Sequence, residues 1–224
     1  MTAPDVSGLS IGILGGTGDQ GRGLGRRLAL AGHRIVIGSR SAERAEQAAA
    51  ELREGDAGID VVGAANADCA AGADVVIVAV PWEGHDALLR DLAGALAGKV
   101  VIDCVNPIGF DDRGPHALKP AEGSAAEQAA GILADSRVVA AFHHVSAVLL
   151  LDREVDAVDL DVLVLGDDRE ATDLVQALAA RIPGVRGVYA GRLRNAHQVE
   201  ALTANIIAMN RRYKAHAGIR VTDV

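Results

Sequence analysis

Short apolar runs alternate with longer segments of mixed polarity along this chain. The runs are typical of strands buried between two layers of helices, and the mixed segments are typical of amphipathic helices. The runs predict strands at residues 11–14, 34–38, 59–62, 73–80, 99–104 and 137–142. The mixed segments predict helices at residues 41–54, 86–96 and 124–133, and a short helix or turn at 66–72. This alternation favours an α/β fold of Rossmann type with a doubly wound parallel sheet.

The pattern changes after about residue 150. Residues 155–165 alternate Val and Leu with Asp, which predicts a half-buried strand. A helix at 168–181, a strand at 186–191 and a long helix from 195 to about 217 follow, the last with Val199, Leu202, Ile206 and Met209 at helical spacing. We therefore expect a Rossmann domain over residues 1–150 and a small C-terminal α/β domain over 151–224 that closes a cleft. Residues 109–120 predict a loop.

A glycine-rich loop with the pattern G-x-G-x-x-G follows the first predicted strand. In a dinucleotide-binding βαβ unit, the first glycine allows a tight turn and the second lets the backbone approach a pyrophosphate. The third lets the next helix lie close to the strand. That helix directs its free N–H groups at the phosphates. The pattern predicts dinucleotide binding by Gly16, Thr17, Gly18, Asp19, Gln20 and Gly21. The alternative is a glycine-rich turn in an unrelated α/β protein.

The end of the second predicted strand carries Ser39 and Arg40 and no acidic residue. An acidic residue there binds the ribose 2′-OH of NAD, whereas an arginine accommodates the 2′-phosphate of NADP. Arg44 lies four residues after Arg40 and shares its face if the next helix begins near Ser41. Thr17 could add a hydroxyl to the same phosphate. The pattern predicts NADP, and the alternative is that both arginines are solvated surface residues.

Two later strands end in residues that could meet the nicotinamide half of the cofactor. Val80, Pro81 and Trp82 end the run at 73–80, and Asn106 follows the run at 99–104. Ligands of such folds bind at the carboxyl ends of the strands, so we predict that all four residues bind the cofactor. Ordinary loop packing of Trp82 is one alternative, and a turn role of Asn106 before proline is another.

His143 and His144 follow the sixth strand and invite a metal-binding interpretation. Adjacent residues of an extended strand point to opposite faces, however, so the two side chains could not easily bind one ion. No cluster of Cys, His or carboxylate residues accompanies them in the sequence, and we expect no metal.

Composition limits the classes of partner. The chain of 224 residues is 50% hydrophobic but 2% aromatic, which suits a core of aliphatic side chains. Its formal net charge of −8 argues against nucleic acid or an anionic membrane as the main partner. The two cysteines form no metal-binding or redox pattern. Because no signal-peptide pattern or membrane-length apolar run is visible, we expect a cytoplasmic protein. A homodimer is a working hypothesis.

The motifs together resemble those of the F420-dependent NADP reductase family. The resemblance rests on the glycine loop, residues 38–40 with Arg44, and residues 80–83, 141–145, 166–168 and 193–203, and so covers nearly the whole chain. It implies hydride transfer between reduced coenzyme F420, a 5-deazaflavin, and NADP, with Thr17, Ser39, Arg40 and Arg44 at the 2′-phosphate.

The same resemblance implies that Ala147 lies near the nicotinamide and that His143 and Val145 lie near the deazaflavin. The C-terminal domain would then close the F420 cleft. The chain departs from the family pattern at His144, which leaves the role of that residue open.

The sequence lacks a recognisable catalytic acid, which agrees with the chemistry expected of such an enzyme. A carbonyl reductase needs an acid to protonate the alkoxide, and neither Tyr189 nor Tyr213 has the context of such a group. Hydride transfer between two cofactors needs alignment and a dry gap instead, so we expect no catalytic acid or base. Two alternatives are an NADP-dependent imine or keto-acid reductase and a non-catalytic NADP sensor.

Overall fold

The computed structural model describes residues 3–224, and a mostly parallel sheet of eight strands is its central element. Its strands are β1 (Ser10–Leu14), β2 (Arg34–Ser39), β3 (Val61–Ala65), β4 (Val75–Val78), β5 (Val100–Asp103), β8 (Arg137–Ala140), β9 (Leu160–Gly166) and β10 (Val185–Gly191). They lie in the order β10-β9-β8-β5-β4-β1-β2-β3. Every neighbouring pair is parallel except β8 and β9.

Helices cover both faces of this sheet. They are α1 (Asp19–Leu30), α2 (Ala42–Gly55), α3 (Asn66–Gly72), α4 (His85–Leu96), α5 (Ala125–Ile132), α6 (Ala147–Leu151), α7 (Arg169–Ala179) and α8 (Ala196–Tyr213). One apolar core lies between the sheet and α1, α2, α6 and α7, and a second between the sheet and α3, α4, α5 and α8. Successive residues of a strand face opposite sides, so Ile13 packs in the first core and Leu14 in the second. The prediction of a doubly wound α/β fold is confirmed.

Two helices, α2 and α5, begin directly after serines that cap their first turns. The Ser41 hydroxyl accepts a hydrogen bond from the Arg44 N–H, and the Ser124 hydroxyl accepts one from the Glu127 N–H. Each bond satisfies a backbone donor that the first turn of a helix leaves free.

The C-terminal segment extends the same sheet. The connection from β8 to β9 begins and ends at the same end of the two strands, so β9 runs antiparallel to β8. Helix α7 then forms the crossover that makes β10 parallel to β9. The boundary predicted at residue 150 between a Rossmann domain and a C-terminal domain falls at the end of α6. One sheet continues from one side of that boundary to the other, and the division into two domains stays a prediction.

Three predictions for individual segments are wrong. Residues 109–120 are not a loop throughout, because β6 (Ile108–Asp111) and β7 (Gly114–Ala117) pair as an antiparallel hairpin whose second strand contacts α8. The strand that includes Asp161 is buried on both faces rather than on one. The long helix expected to reach about residue 217 ends at Tyr213.

Within residues 3–224, no helix is long and apolar enough to cross a membrane.

Candidate functional site

A cleft of about 410 Å³ opens at the carboxyl ends of the central parallel strands. Eight of the residues predicted from the sequence line it: Gln20, Val80, Pro81, Trp82, Asn106, His143, Val145 and Ala147. They come from α1, from the segments after β4, β5 and β8, and from the start of α6. The parallel sheet therefore brings together residues that are far apart in sequence.

The other predicted residues lie beside this cleft, in the glycine loop and at the end of β2. The Gly16 N–H donates to the Gly38 carbonyl at 3.0 Å, which joins the loop to the strand that carries Ser39 and Arg40. This second group consists of Gly16, Thr17, Gly18, Asp19, Gly21, Ser39, Arg40 and Arg44.

The three glycines of the motif differ in what surrounds them. A Cβ added at Gly16 would lie 2.7 Å from the Ile13 carbonyl oxygen, and one at Gly21 would lie 2.6 Å from the Gly16 Cα. These two positions need glycine because the chain itself packs against them. A Cβ at Gly18 would meet no atom closer than 3.7 Å, so the chain leaves the space beside Gly18 open. That difference fits a ligand at Gly18.

Helix α1 begins directly after this open position. Its N-cap is Gly18, which has no side chain to cap the first turn, so the free N–H groups of that turn have no side-chain acceptor there. The Asp19 carboxylate forms an ion pair with Arg22 at 2.8 Å, which partly offsets its negative charge beside these free N–H groups. The first turn can therefore receive a phosphate on its backbone donors.

A cationic surface lies at the end of β2. Arg40 and Arg44 are exposed, and neither guanidinium has a hydrogen-bond or ion-pair partner among residues 3–224. Ser39 is buried beside them and accepts a weak hydrogen bond from the Ser41 N–H at 3.4 Å. Two unpaired guanidinium groups and a hydroxyl form a donor set that suits a phosphate.

The segment after β8 turns sharply into the cleft. Phe142 adopts a φ of +63°, a conformation that is unfavourable for a residue with a large side chain, and its ring is fully buried. The Gln20 side-chain amide donates to the Phe142 carbonyl at 3.3 Å and so connects α1 to this turn. Strained backbone of this kind is concentrated at functional sites, where the surrounding structure holds it in place.

His143 is buried at the cleft as a neutral side chain. Its carbonyl oxygen accepts hydrogen bonds from the Asn106 amide at 2.8 Å and from the Thr203 hydroxyl at 3.2 Å. Neither ring nitrogen has a partner among residues 3–224, nor has the Asn106 side-chain oxygen. Burial lowers the pKa of His143 to about 4, although Asp103 acts in the opposite direction. Unpartnered buried polar atoms at a cleft are consistent with a polar ligand there.

His144 faces a different element from His143. Its Nε2 accepts a hydrogen bond from the Leu163 N–H of β9 at 3.4 Å, so the proton of the neutral ring is on Nδ1. Burial and the neighbouring His143 lower the pKa of His144 to about 4. His144 therefore helps to anchor the turn to the sheet. Within residues 3–224, no three His, Cys, Asp or Glu side chains are grouped as metal ligands.

No pattern in the sequence indicates how Ala147 is held in place. Ala147 begins the short helix α6, whose carbonyl groups receive hydrogen bonds from two buried arginines of α1. The Arg27 guanidinium donates to the carbonyls of Leu149 at 2.7 Å and Leu150 at 2.9 Å, and Arg26 reaches the same end of the helix. Adjacent arginines in an amphipathic helix look like surface residues until a partner segment covers them.

Helix α8 supplies a wall of the cleft that the sequence analysis did not identify. Its lining residues are Thr203, Ile206, Ile207 and Asn210, which share one helical face, and Ala217 follows in the C-terminal segment. Of the residues that the sequence places at helical spacing in this helix, Val199, Leu202, Ile206 and Met209, Ile206 alone lines the cleft.

The chain is similar to known proteins over nearly its full length. A family model described as "NADP oxidoreductase coenzyme F420-dependent" matches residues 10–107. An F420-dependent NADP reductase of Methanothermobacter marburgensis is 44% identical, with 96% of this chain and 99% of that protein aligned. Its counterpart in Methanocaldococcus jannaschii is 40% identical over the same shares of the two chains.

A solved structure agrees with these relatives. A protein of Arthrobacter sp. FB24, provisionally described as an F420-dependent NADP-reductase, superposes with a TM-score of 0.82 and 28% identity. The superposition covers 96% of this chain and 100% of that one. Relatives of at least 40% identity thus cover nearly the whole sequence. The chain belongs to the F420-dependent NADP reductase family.

Proposed function

We propose that this protein transfers a hydride reversibly between coenzyme F420 and NADP. The observation that carries the proposal is the pair of relatives of the same name that align over 96% of this chain. The arrangement of the site supports it, since features suited to phosphate lie at one end and a cleft with both apolar and polar lining lies at the other. When both cofactors are bound, the nicotinamide and the deazaflavin supply the hydride chemistry.

The protein holds NADP by its phosphates. Arg40 and Arg44 bind the 2′-phosphate with Ser39 and Thr17, which is supported by their unpaired guanidinium groups beside the glycine loop. The backbone at Gly18 and the first turn of α1 bind the pyrophosphate, in the space that the chain leaves open there.

The cleft aligns the two rings and excludes water. Val145 and Ala147 present apolar surface, and His143 stays neutral at the pH of an enzyme assay because burial holds its pKa near 4. Tyr189 and Tyr213 are exposed and do not line the cleft, so no tyrosine is placed to protonate an alkoxide. These features suit direct hydride transfer between two aligned cofactors better than the reduction of a carbonyl or imine.

Residues 151–224 close the F420 side of the cleft in this proposal. Support comes from α8, which contributes Thr203, Ile206 and Asn210 to the lining. A homodimer and a cytoplasmic location complete the proposal. Exposed Phe110 and Tyr213 offer apolar surface to a second copy, and light scattering would show whether the protein is a dimer in solution.

The decisive experiment mixes protein, NADPH and F420 and follows the deazaflavin absorbance. Turnover with F420 supports the proposal, and turnover only with imines or keto acids would favour the other reductase. Binding of NADPH without any turnover would identify a sensor.

The same assay tests the 2′-phosphate site. Arg40→Ala should raise the KM for NADPH at least about tenfold, because a charge-assisted contact is worth about 1.5–3 kcal/mol. The KM for NADH, which lacks the phosphate, should barely change. Equal losses with both nucleotides would show that Arg40 does not bind the phosphate.

A further inference from the structure

A fully buried polar cluster lies behind the cleft wall. The His85 Nε2 is 2.6 Å from the Asp103 Oδ2, and the His85 Nδ1 is 2.9 Å from the Gln128 Oε1. The His85 and Asp103 side chains have no exposed surface, and Gln128 is buried with them. The cluster joins the start of α4, the end of β5 and α5. None of these three side chains lines the cleft.

The cluster connects two segments that do line the cleft. The second Asp103 oxygen accepts the Val105 N–H at 2.9 Å, and the next residue, Asn106, donates its amide to the His143 carbonyl at 2.8 Å. On the other side, the Trp82 ring centroid is 5.6 Å from that of His85. His85 therefore lies between the segment after β4 and the segment after β5, and Asp103 ties the second segment to it.

The geometry identifies the protonation state of His85. Both ring nitrogens face oxygen atoms, and the Gln128 amide nitrogen donates to the Glu122 carboxylate at 3.3 Å, which orients its oxygen toward His85. Only the imidazolium form donates from both nitrogens.

The charges around His85 agree with that state. Burial opposes the positive charge, but Asp103 on β5, Gln128 on α5 and Glu200 on α8 outweigh it and raise the pKa of His85. Glu200 also titrates in this region, because burial raises its pKa to about 7 while it accepts the N–H groups of Ala125 and Ala126.

We propose that His85 is a positioning residue of the hydride-transfer site, which as an imidazolium holds Asp103 and thereby fixes Val105 and Asn106 at the cleft. This inference rests on the proposed function. A neutral imidazole keeps its proton on Nε2 beside the Asp103 carboxylate and loses its donor to Gln128, so the charged pair with Asp103 becomes an ordinary hydrogen bond and His85 is no longer held by α5. The turn that carries Asn106 is then held less firmly. The rings are then less well aligned, while the distant 2′-phosphate site is unaffected.

The first test needs no cofactor. Trp82 is the only tryptophan of the chain, and an adjacent imidazolium quenches tryptophan fluorescence, so emission should rise as His85 deprotonates. We expect a midpoint above 6.5, the ordinary histidine value. The transition should be lost in His85→Gln and kept in Glu200→Gln and in His116→Gln, a change of an exposed histidine outside the cleft. A midpoint below 6.5, or a transition that survives in His85→Gln, would overturn the inference.

The second test measures kinetics. His85→Gln should lower kcat about tenfold and leave the KM for NADPH within about twofold, since positioning of the rings is lost and phosphate binding is not. The wild-type kcat should fall as the pH rises through the same midpoint, and the variant should show no such fall. Wild-type kcat and an unaltered pH profile in the variant would refute the positioning role.

Two controls keep the tests decisive. If His85→Gln fails to fold, Gln128→Met removes one acceptor of the imidazolium and should lower the fluorescence midpoint, and an unchanged midpoint would refute the assignment. Absence of F420-dependent turnover in the wild type would refute the proposed function. The fluorescence test uses no cofactor, so its result does not depend on that function.

Discussion

Gly18→Ala should separate nucleotide binding from folding. Gly18 has a φ of −78° and a ψ of 163°, which alanine adopts without strain, and an added Cβ would be 3.7 Å from its nearest neighbour. The protein therefore accommodates the methyl group. The methyl would instead occupy the space in which we place the NADP pyrophosphate.

The effects can be estimated from these contacts. Replacing glycine stabilises the fold by about 0.4–1 kcal/mol through the unfolded state, and alanine is a poorer N-cap than glycine by a similar amount. The free energy of unfolding should thus change by less than about 1 kcal/mol. Loss of one charge-assisted bond to the pyrophosphate, about 1.5–3 kcal/mol, raises KM about tenfold to hundredfold.

The assay is steady-state turnover with NADPH and with NADH, together with thermal unfolding. Both nucleotides contain the pyrophosphate, so both KM values should rise, unlike the selective effect of Arg40→Ala. Gly94→Ala is the matched control, because Gly94 lies exposed inside α4 with no atom within 4 Å of an added Cβ. It should raise Tm and leave both KM values unchanged.

A second variant shows the opposite case. Gly21→Ala places its Cβ 2.6 Å from the Gly16 Cα, so it should lower Tm as well as raise KM. If Gly18→Ala keeps the wild-type KM for both nucleotides, the pyrophosphate does not lie against Gly18, and our explanation of the glycine loop is wrong.

Three other outcomes are expected. His143→Ala should slow single-turnover hydride transfer about 10- to 100-fold by loss of positioning, and complete loss with both cofactors bound would make His143 a chemical participant. Burial lowers the pKa of His143 to about 4, so between pH 6.5 and 4 the unfolded chain binds a proton at this residue that the folded protein does not bind. The free energy of unfolding is therefore unaffected by this group above pH 6.5 and falls as the pH is lowered toward 4. In urea titrations, the free energy of unfolding should fall between pH 6.5 and pH 4 by on the order of 3 kcal/mol less in His143→Gln than in the wild type. Equal falls in the two proteins would contradict the lowered pKa of His143. Arg26→Ala removes the two close hydrogen bonds to the largely buried Asp56 carboxylate, at 2.7 and 2.9 Å, and leaves it the longer ion pair with Arg153 at 3.9 Å. Chemical denaturation should show a loss of about 1.5–3 kcal/mol, and a loss below about 1 kcal/mol would show that the pair is solvated.

Local patterns in the sequence determined much of the fold. The apolar runs marked six of the eight strands of the main sheet, because a strand buried between two helical layers is apolar wherever it lies in the fold. The helix starts predicted at residues 41 and 124 agree with the caps at Ser41 and Ser124, because a cap involves residues only three positions apart. The glycine loop and the end of β2 were predictable for the same reason.

Contacts between distant segments decided the rest. The alternating sequence places Asp161 on the predicted solvent-facing side of its strand. In the structure it is fully buried between Arg186 and Arg220, with the C-terminal segment covering it. The short strands β6 and β7 pair with each other and contact α8, which no local pattern shows.

The site shows the same division. The sequence indicated Trp82, Asn106 and His143 separately, because each follows an apolar run. The sheet brought them to one edge, and the pairing of His85 with Asp103 behind that edge appears only in the folded chain. A residue's environment depends on which segments pack against it, and local sequence does not record that packing. Sequence patterns therefore determined the elements and the chemical groups at their ends, whereas tertiary structure decided which of those groups are buried, charged and in contact.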